Sequence, residues 1–319
     1  MAPTIRKIAF LIVAVAPLFA TGAAVAQADP KFDYGKAEEV KDVKAVEWKA
    51  QAKGGFLMTS GNSSTTNGTV GLNASRKEGN NKLALEGGLA YGKSRIFDAT
   101  VDANNQITAL DSREVETTNS WLAKGRYDRF FTTNNSAFVT AIGSGDKIAG
   151  KTFAGGGQIG YSRQLLKNDM NTLVAELGYD FSYERYVQQP MKTLDPVSIH
   201  SARLFVGETL KATEQTGLTA SVEALFNLNK ESGALNVDTN TPGVDAFKDT
   251  RVIGKLGVTT TVYKSLSIGL GFTLKYDQNP APRPIPATAP MGASYGPGVK
   301  AFADTVDTLT EATLIYTFF

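Results

Sequence analysis

From residue 46 onward, apolar and polar side chains alternate along almost every segment, with the period of two that an extended strand imposes. The segment 171–186 is the plainest case. Leu173, Ala175, Leu177, Tyr179, Phe181 and Tyr183 share one face, and Glu176, Asp180, Ser182 and Glu184 share the other. The same reading predicts strands over 46–58, 65–77, 82–94, 114–130, 136–145, 152–164, 171–186, 199–211, 217–228, 250–263, 266–277 and 305–319. Helical spacing is confined to Ala37, Val40 and Val43. The segments 136–145 and 152–164 are short; if they are not two separate spanning strands, the next even count is ten instead of twelve.

The connections alternate as well. Those at 78–81, 131–135, 166–170, 212–216 and 264–265 are short. Those at 95–113, 146–151, 187–198, 229–249 and 278–304 are mostly longer, Thr59 to Ser64 being a short member of that set. Short turns at one end and long loops at the other are the pattern of a transmembrane barrel. The expected fold is therefore an all-β, up-and-down antiparallel barrel of twelve strands with both termini periplasmic. Proline, which lacks the ladder N–H, agrees: Pro190, Pro196, Pro242, Pro280, Pro282, Pro284, Pro286, Pro290 and Pro297 all fall in long loops. A soluble sandwich would also alternate. It accounts less well for the strand lengths, the loop asymmetry and the aromatic residues, such as Tyr127, Tyr161 and Tyr316, grouped near strand ends.

The first residues read as an export signal. Arg6 and Lys7 precede an apolar run from Ile8 to Phe19, and Ala24-Val25-Ala26 supplies a small-residue cleavage pattern. The expected division is a signal peptide over 1–26, a periplasmic segment over 27–44 and the barrel over 45–319, in the outer membrane of a Gram-negative bacterium. No apolar run is long enough for a transmembrane helix, which needs about 20 residues. The absence of cysteine excludes disulfides and thiolate chemistry. With 33 basic and 31 acidic residues the chain has no basic excess of the kind a nucleic-acid binder shows.

The polar face carries the candidate functional residues. The alternation places Glu47, Glu86, Glu116, Asp128, Glu176, Asp180, Glu184, Glu223 and Glu311 on it, together with Lys49, Lys53, Lys124, Arg126, Arg203, Lys211, Arg251, Lys255 and Lys275. Nine acids face nine bases, and the acids of 171–186 complement the bases of 250–277. A balanced set predicts ion pairs across the lumen and weak charge selectivity, since a strongly selective pore needs one sign in excess. Twelve strands enclose a space between the filled eight-stranded barrel and the open sixteen-stranded porin.

Tyr316-Thr317-Phe318-Phe319 resembles the terminal aromatic signal read by the barrel-assembly machinery, one aromatic longer than the usual ending. The stretch from Gly54 to Lys77, with its Thr59-Ser60-Gly61-Asn62 turn, resembles the opening of the domain of unknown function 481 family. The segments 175–186 and 201–210 are similar to later strands of that family, whose members are often labelled salt-induced outer-membrane proteins. The resemblance implies an outer-membrane barrel and brings no catalytic residues.

Other chemistry is sparse. His200 is the only histidine. Ser198, two residues before it, meets the spacing of a lipid hydrolase pair, but no orienting acid or oxyanion donor accompanies them. The bland reading is a histidine of the interfacial girdle. Gly155-Gly156-Gly157-Gln158-Ile159-Gly160 matches a dinucleotide fingerprint, yet the alternation continues through Tyr161-Ser162-Arg163 where a helix would be required. Asp238, Asp245 and Asp249 share one loop without calcium-loop spacing. No cofactor, metal or catalytic group is expected. The expected partners are outer-membrane lipid, lipopolysaccharide and the assembly machinery. The functional readings are a narrow channel, a non-conducting envelope protein with displayed loops, and, resting on Ser198 and His200 alone, a lipid-modifying enzyme. The Pro-rich segment 280–297 could serve as a lid or as an exposed arm.

Overall fold

The alternating segments fold into β1 (Glu47–Thr59), β2 (Thr65–Glu78), β3 (Asn81–Val101), β4 (Ile107–Thr132), β5 (Asn135–Asp146), β6 (Lys151–Lys167), β7 (Asn171–Tyr186), β8 (Val197–Lys211), β9 (Thr216–Asn227), β10 (Thr250–Tyr263), β11 (Leu266–Asp277) and β12 (Val306–Thr317). The computed structural model describes residues 46–59, 65–101, 107–188, 194–231, 243–282 and 302–318. The signal and leader segments, Asp238, Phe319 and most of the Pro-rich segment lie outside them. Each strand pairs antiparallel with the next, and β12 returns to β1, closing a barrel of twelve. The closing ladder is short, joining Gln51–Gly54 to Leu314–Thr317. Two bonds reinforce it: Gln51 Nε2 donates to Thr317 Oγ1 at 3.2 Å, and the Phe318 N–H donates to the Ala50 carbonyl at 3.0 Å.

β5 and β6 are separate strands paired from Asn135↔Arg163 upward, so the count is twelve and not ten. The connection at 95–113 departs from expectation. It continues the β3–β4 hairpin through Arg95↔Glu114 to Val101↔Ile107. The segment is rich in β-branched residues and free of proline, so nothing stops the ladder where the amphipathic pattern fades.

The polarity of the barrel is inverted relative to a water-soluble protein. Leu72, Leu89, Leu177, Leu204, Val222, Leu256, Leu270 and Leu314 project outward with 47–65% of their surface exposed. Arg126, Asp128, Glu176 and Arg203 are buried inside. A sandwich would bury the leucines and leave the charges in water. Apolar outside and polar inside, with a closed ladder and no sheet edge, is the arrangement that satisfies the backbone in lipid. An arginine on the lipid face near mid-strand costs about 2–4 kcal/mol. Leu177→Arg is accordingly expected to lower stability by about that amount in a urea titration of the lipid-embedded protein; an unchanged midpoint would contradict the lipid-facing assignment.

Candidate functional site

The interior is built from glycines upward. Gly160 and Gly178 are register partners on β6 and β7 and both point inward. A Cβ on Gly160 would come within 2.7 Å of the Phe138 ring and 2.5 Å of the Leu177 carbonyl. Their missing side chains leave room for Phe138, and Phe138 in turn seats two guanidinium groups. Arg126 lies 4.1 Å from its ring centre and Arg203 5.5 Å. Cation–π contact of this kind strengthens when water is excluded.

Those two arginines organise the centre. Arg126 on β4 donates to Asp128 at 2.7 Å and, across the space in front of β5 and β6, to Glu176 on β7 at 2.7 Å. Arg203 on β8 donates to Glu176 at 2.9 Å and to Glu223 on β9. Gln158 bridges Asp180 at 2.9 Å. Arg203 has 0% of its surface exposed. Burying these charges is tolerable only because Asp128, Glu176 and Glu223 each meet a guanidinium in hydrogen-bonding geometry and Asp180 accepts from Gln158 and Ser182.

The two ends differ in sign. Near the short turns, Lys49, Lys77, Lys82 and Lys211 line the interior with Glu47; Glu47 is the register partner of Lys77, and Lys77 of Lys82. Near the long loops stand Asp146, Glu184, Asp249, Asp277 and Asp307, with Lys151, Arg251 and Lys275 among them. Lys151 meets Glu184 at 2.8 Å, and Arg251 reaches Glu184 at 3.7 Å from the far side of β8 and β9. Loop residues cover part of this end. Leu194 and Ala281 pack with Tyr186, Val197 and Ile199 in an apolar cluster. The base of the Pro-rich segment, at Ala281 and Pro282, is therefore folded inward, and Pro282 forms an antiparallel bridge to Phe302.

The lumen is filled unevenly. Charged and aromatic side chains occupy the β4–β9 side. On the other wall, inward positions fall to Gly71, Gly257, Gly269 and Gly271, and the inward charges Lys53, Glu86, Lys255 and Glu311 are only half-buried. A cavity of about 330 Å³ lies there, bounded by Gln51 and Thr317 near the short turns and by Lys124 and Arg126 at the centre.

The model of the family described as "Protein of unknown function, DUF481" matches residues 52–318. The chain belongs to the DUF481 family. A search of the curated proteins finds no match. Among solved structures, the NanC porin is similar over 84% of this chain and 97% of its own, at 9% identity and a TM-score of 0.39. The outer membrane channel DcaP of Acinetobacter baumannii is similar over 86% and 97%, at 12% identity and 0.34. A FadL homologue of Pseudomonas aeruginosa is similar over 85% and 74%, at 11% identity and 0.33. Likeness at these scores says nothing about a solute.

Within this DUF481 barrel, the residues expected on the polar face stand at the centre, at the two ends or on the open wall, with one correction. Glu116 does not face the lumen. A bulge leaves Thr117 unpaired between Gly92↔Thr118 and Lys93↔Glu116, and this turns Glu116 to the face shared by Lys93. There it accepts from Asn119 at 3.1 Å and meets Lys147 at 3.5 Å. Period-two counting cannot register an extra residue. Conversely, Lys77, Lys82, Asp146, Lys151, Asp277 and Asp307 lie inside but escaped the reading. Asp146 and Lys151 fall in the predicted connection 146–151, and Lys77, Lys82, Asp277 and Asp307 stand at or near the ends of predicted strands, at positions given no face.

The remaining candidates do not assemble. His200 is bonded through Nδ1 to the Tyr179 hydroxyl and packs 5.1 Å from the Phe181 ring. No hydrogen bond joins it to Ser198 among the described residues, and Ser198 instead offers its carbonyl to Asn229 at 2.9 Å. The glycine fingerprint lies within β6, where a Cβ on Gly156 would come within 1.8 Å of the Phe181 carbonyl. Asp245 pairs with exposed Lys230 at 3.3 Å, whereas Asp249 is buried beside Arg251. Tyr316 and Phe318 project outward in an edge-on contact at 5.1 Å.

Two outcomes follow from this geometry. Arg203→Met leaves Glu176 and Glu223 buried without that counter-charge, and stability should fall by about 3–5 kcal/mol in denaturant. Adding Glu223→Leu should restore part of the loss, and no restoration would refute the pairing. Outside the strands, Glu231 is buried beside Asp249, and burial together with that neighbouring carboxylate pushes it up to about 8. Its folded value exceeds the free value of about 4.3. The folded base of the loop, where Glu231 pairs with Val244, therefore holds an extra proton between those two values, and its stability declines as pH rises through that window to 8. Proteolysis within 228–249 should be faster at pH 9 than at pH 5. In Glu231→Gln the difference should vanish.

Proposed function

We propose that this protein is a narrow channel of the Gram-negative outer membrane, passing small hydrophilic solutes or ions with weak overall charge selectivity. One observation carries this reading: the interior is packed in front of β5–β7, while a cavity lined from β1–β4 and β8–β12 stays open beside it. A barrel serving only as a scaffold gains nothing from that asymmetry, because an unfilled interior forfeits packing. Weak selectivity follows from the opposition of the two ends, basic near the short turns and acidic near the long loops. The export signal in the sequence, the outward apolar belt and the closed ladder support the location. Lipid and lipopolysaccharide are its natural surroundings. The aromatic C-terminus supports delivery by the barrel-assembly machinery, and with it an orientation that has both termini periplasmic and the long loops outside the cell.

A second reading has its own observation. The central ion-pair cluster joins β4 to β9 and could close the lumen, giving a non-conducting envelope protein that displays its loops. No chemical step is assigned to either reading.

Refolded protein in a planar bilayer should give discrete conductance steps with a reversal potential near zero under a salt gradient. Gly71→Trp should reduce the step by more than half, since the position faces the open wall and a Cβ there meets nothing closer than 3.7 Å. A silent bilayer, from protein whose heat-dependent gel mobility proves it folded, would overturn the channel and leave the envelope reading.

A further inference from the structure

The ladder that closes the barrel ends before its two strands do. β1 and β12 pair from Gln51↔Thr317 to Gly54↔Leu314. Beyond Gly54, β1 runs on to Thr59 with every residue paired to β2, and β12 is paired to β11 from Val306 to Tyr316. Continuing the register would set Gly55–Thr59 against Leu309–Thr313, yet among the described residues no ladder pair joins them. The strands are still side by side at the foot of this gap, where a Cβ on Gly55 would lie 3.8 Å from the Ala312 carbonyl.

The gap lies within the apolar belt. On β12, Ala312, Thr310 and Thr308 are the register partners of Leu270, Phe272 and Leu274, which project outward on β11. At that depth backbone outside a ladder is tolerated only where it is buried in protein or lines water. The side chains agree. Outward positions flanking the gap are Gly54, Gly68, Thr66, Thr308, Thr310 and Ala312, small or hydroxylic where the neighbouring belt is largely leucine. Phe56, opposite Ala312 in the continued register, has 72% of its surface exposed. On the inner side the positions beside the gap are Gly55 on β1, Gly71 on β2, and Gly269 and Gly271 on β11. Glu311 leans over Gly271, its Oε1 2.9 Å from where a Cβ there would stand, and so lies toward β11 and away from β1. The luminal cavity reaches the foot of the same seam at Gln51, Lys53, Ile315 and Thr317.

We propose that the upper β1–β12 seam is a lateral opening between the lumen and the leaflet on the long-loop side, and that it admits single-chain amphiphiles. The polar head and its water meet the strand-edge N–H and C=O groups that the ladder leaves, and continue into the hydrated lumen. The alkyl chain stays in lipid against Phe56 and Val306. The gap widens from strands in contact, so it passes one chain and not two abreast. Passage from end to end of the lumen is not required, and the opening therefore stands apart from the channel reading.

The test uses the full chain in lipid vesicles and a lysophosphatidylcholine carrying a photoreactive group on its head. Adducts mapped by peptide mass spectrometry are expected on inward residues beside the gap, such as Gly71, Gly271 and Thr313. The chain has no cysteine, so Phe56→Cys with Ala312→Cys can be tied by a short reducible thiol cross-linker. Tying should lower the inward adducts severalfold, and reduction should restore them. Should the double variant not fold, Ala312→Trp, whose indole fills the gap, takes its place and should give the same loss. Adducts confined to lipid-facing residues, or inward adducts that persist when the gap is tied or filled, overturn the opening. A two-chain phosphatidylcholine with the same head should label no inward residue; equal labelling overturns the single-chain assignment. Bilayer conductance separates this from the channel reading. Inward adducts in a protein that does not conduct would retain the opening and remove the channel. Conductance with adducts on lipid-facing residues alone would do the reverse.

Discussion

Backbone pairing is the constraint on which everything else depends. In hydrocarbon an unpaired N–H or C=O has no water to fall back on, so the sheet must close on itself. The return of β12 to β1 achieves this with a ladder only four residue pairs long, reinforced by the Gln51–Thr317 bond and by the Phe318 amide. Once the sheet is closed, alternation leaves no choice about polarity. Every second side chain faces lipid and must be apolar, and every other one faces a confined interior.

That interior then has to solve a problem that the exterior does not. Charges shut away from bulk water are costly unless each finds a partner. On the β4–β9 side the solution is a linked set of guanidinium–carboxylate contacts, seated on Phe138 and made possible by the Gly160–Gly178 gap. On the opposite wall the solution is different. Glycine replaces the side chains that would fill the space, and the charges there are half-exposed to the cavity. One barrel thus combines a packed half and an open half. The packed half braces the cross-section, and the open half leaves a cavity of about 330 Å³.

The ends of the lumen add direction. Basic residues gather at the short turns and acidic ones at the long loops, so the field changes along the axis of the barrel. Glu231 and Asp249 lie together at the acidic end, where burial and the neighbouring carboxylate hold Glu231 up to about 8.

Strand number, strand order, the apolar belt and the identity of most inward charges were set by the sequence, because period-two alternation and proline exclusion are local rules that each segment obeys by itself. The glycines of β6 were legible as strand residues and not as a nucleotide loop for the same reason. Three things were decided only in three dimensions. The bulge at Thr117 turned Glu116 away from the lumen, which no count along one strand can register. The pairing of Arg126 with Glu176 and of Arg251 with Glu184 depends on which strands face each other across a closed circle. Above all, nine acids and nine bases counted as a balanced set until the fold sorted them by height and by side. Charge balance is a sum over the chain, whereas the field at any point in a lumen depends on where each charge stands.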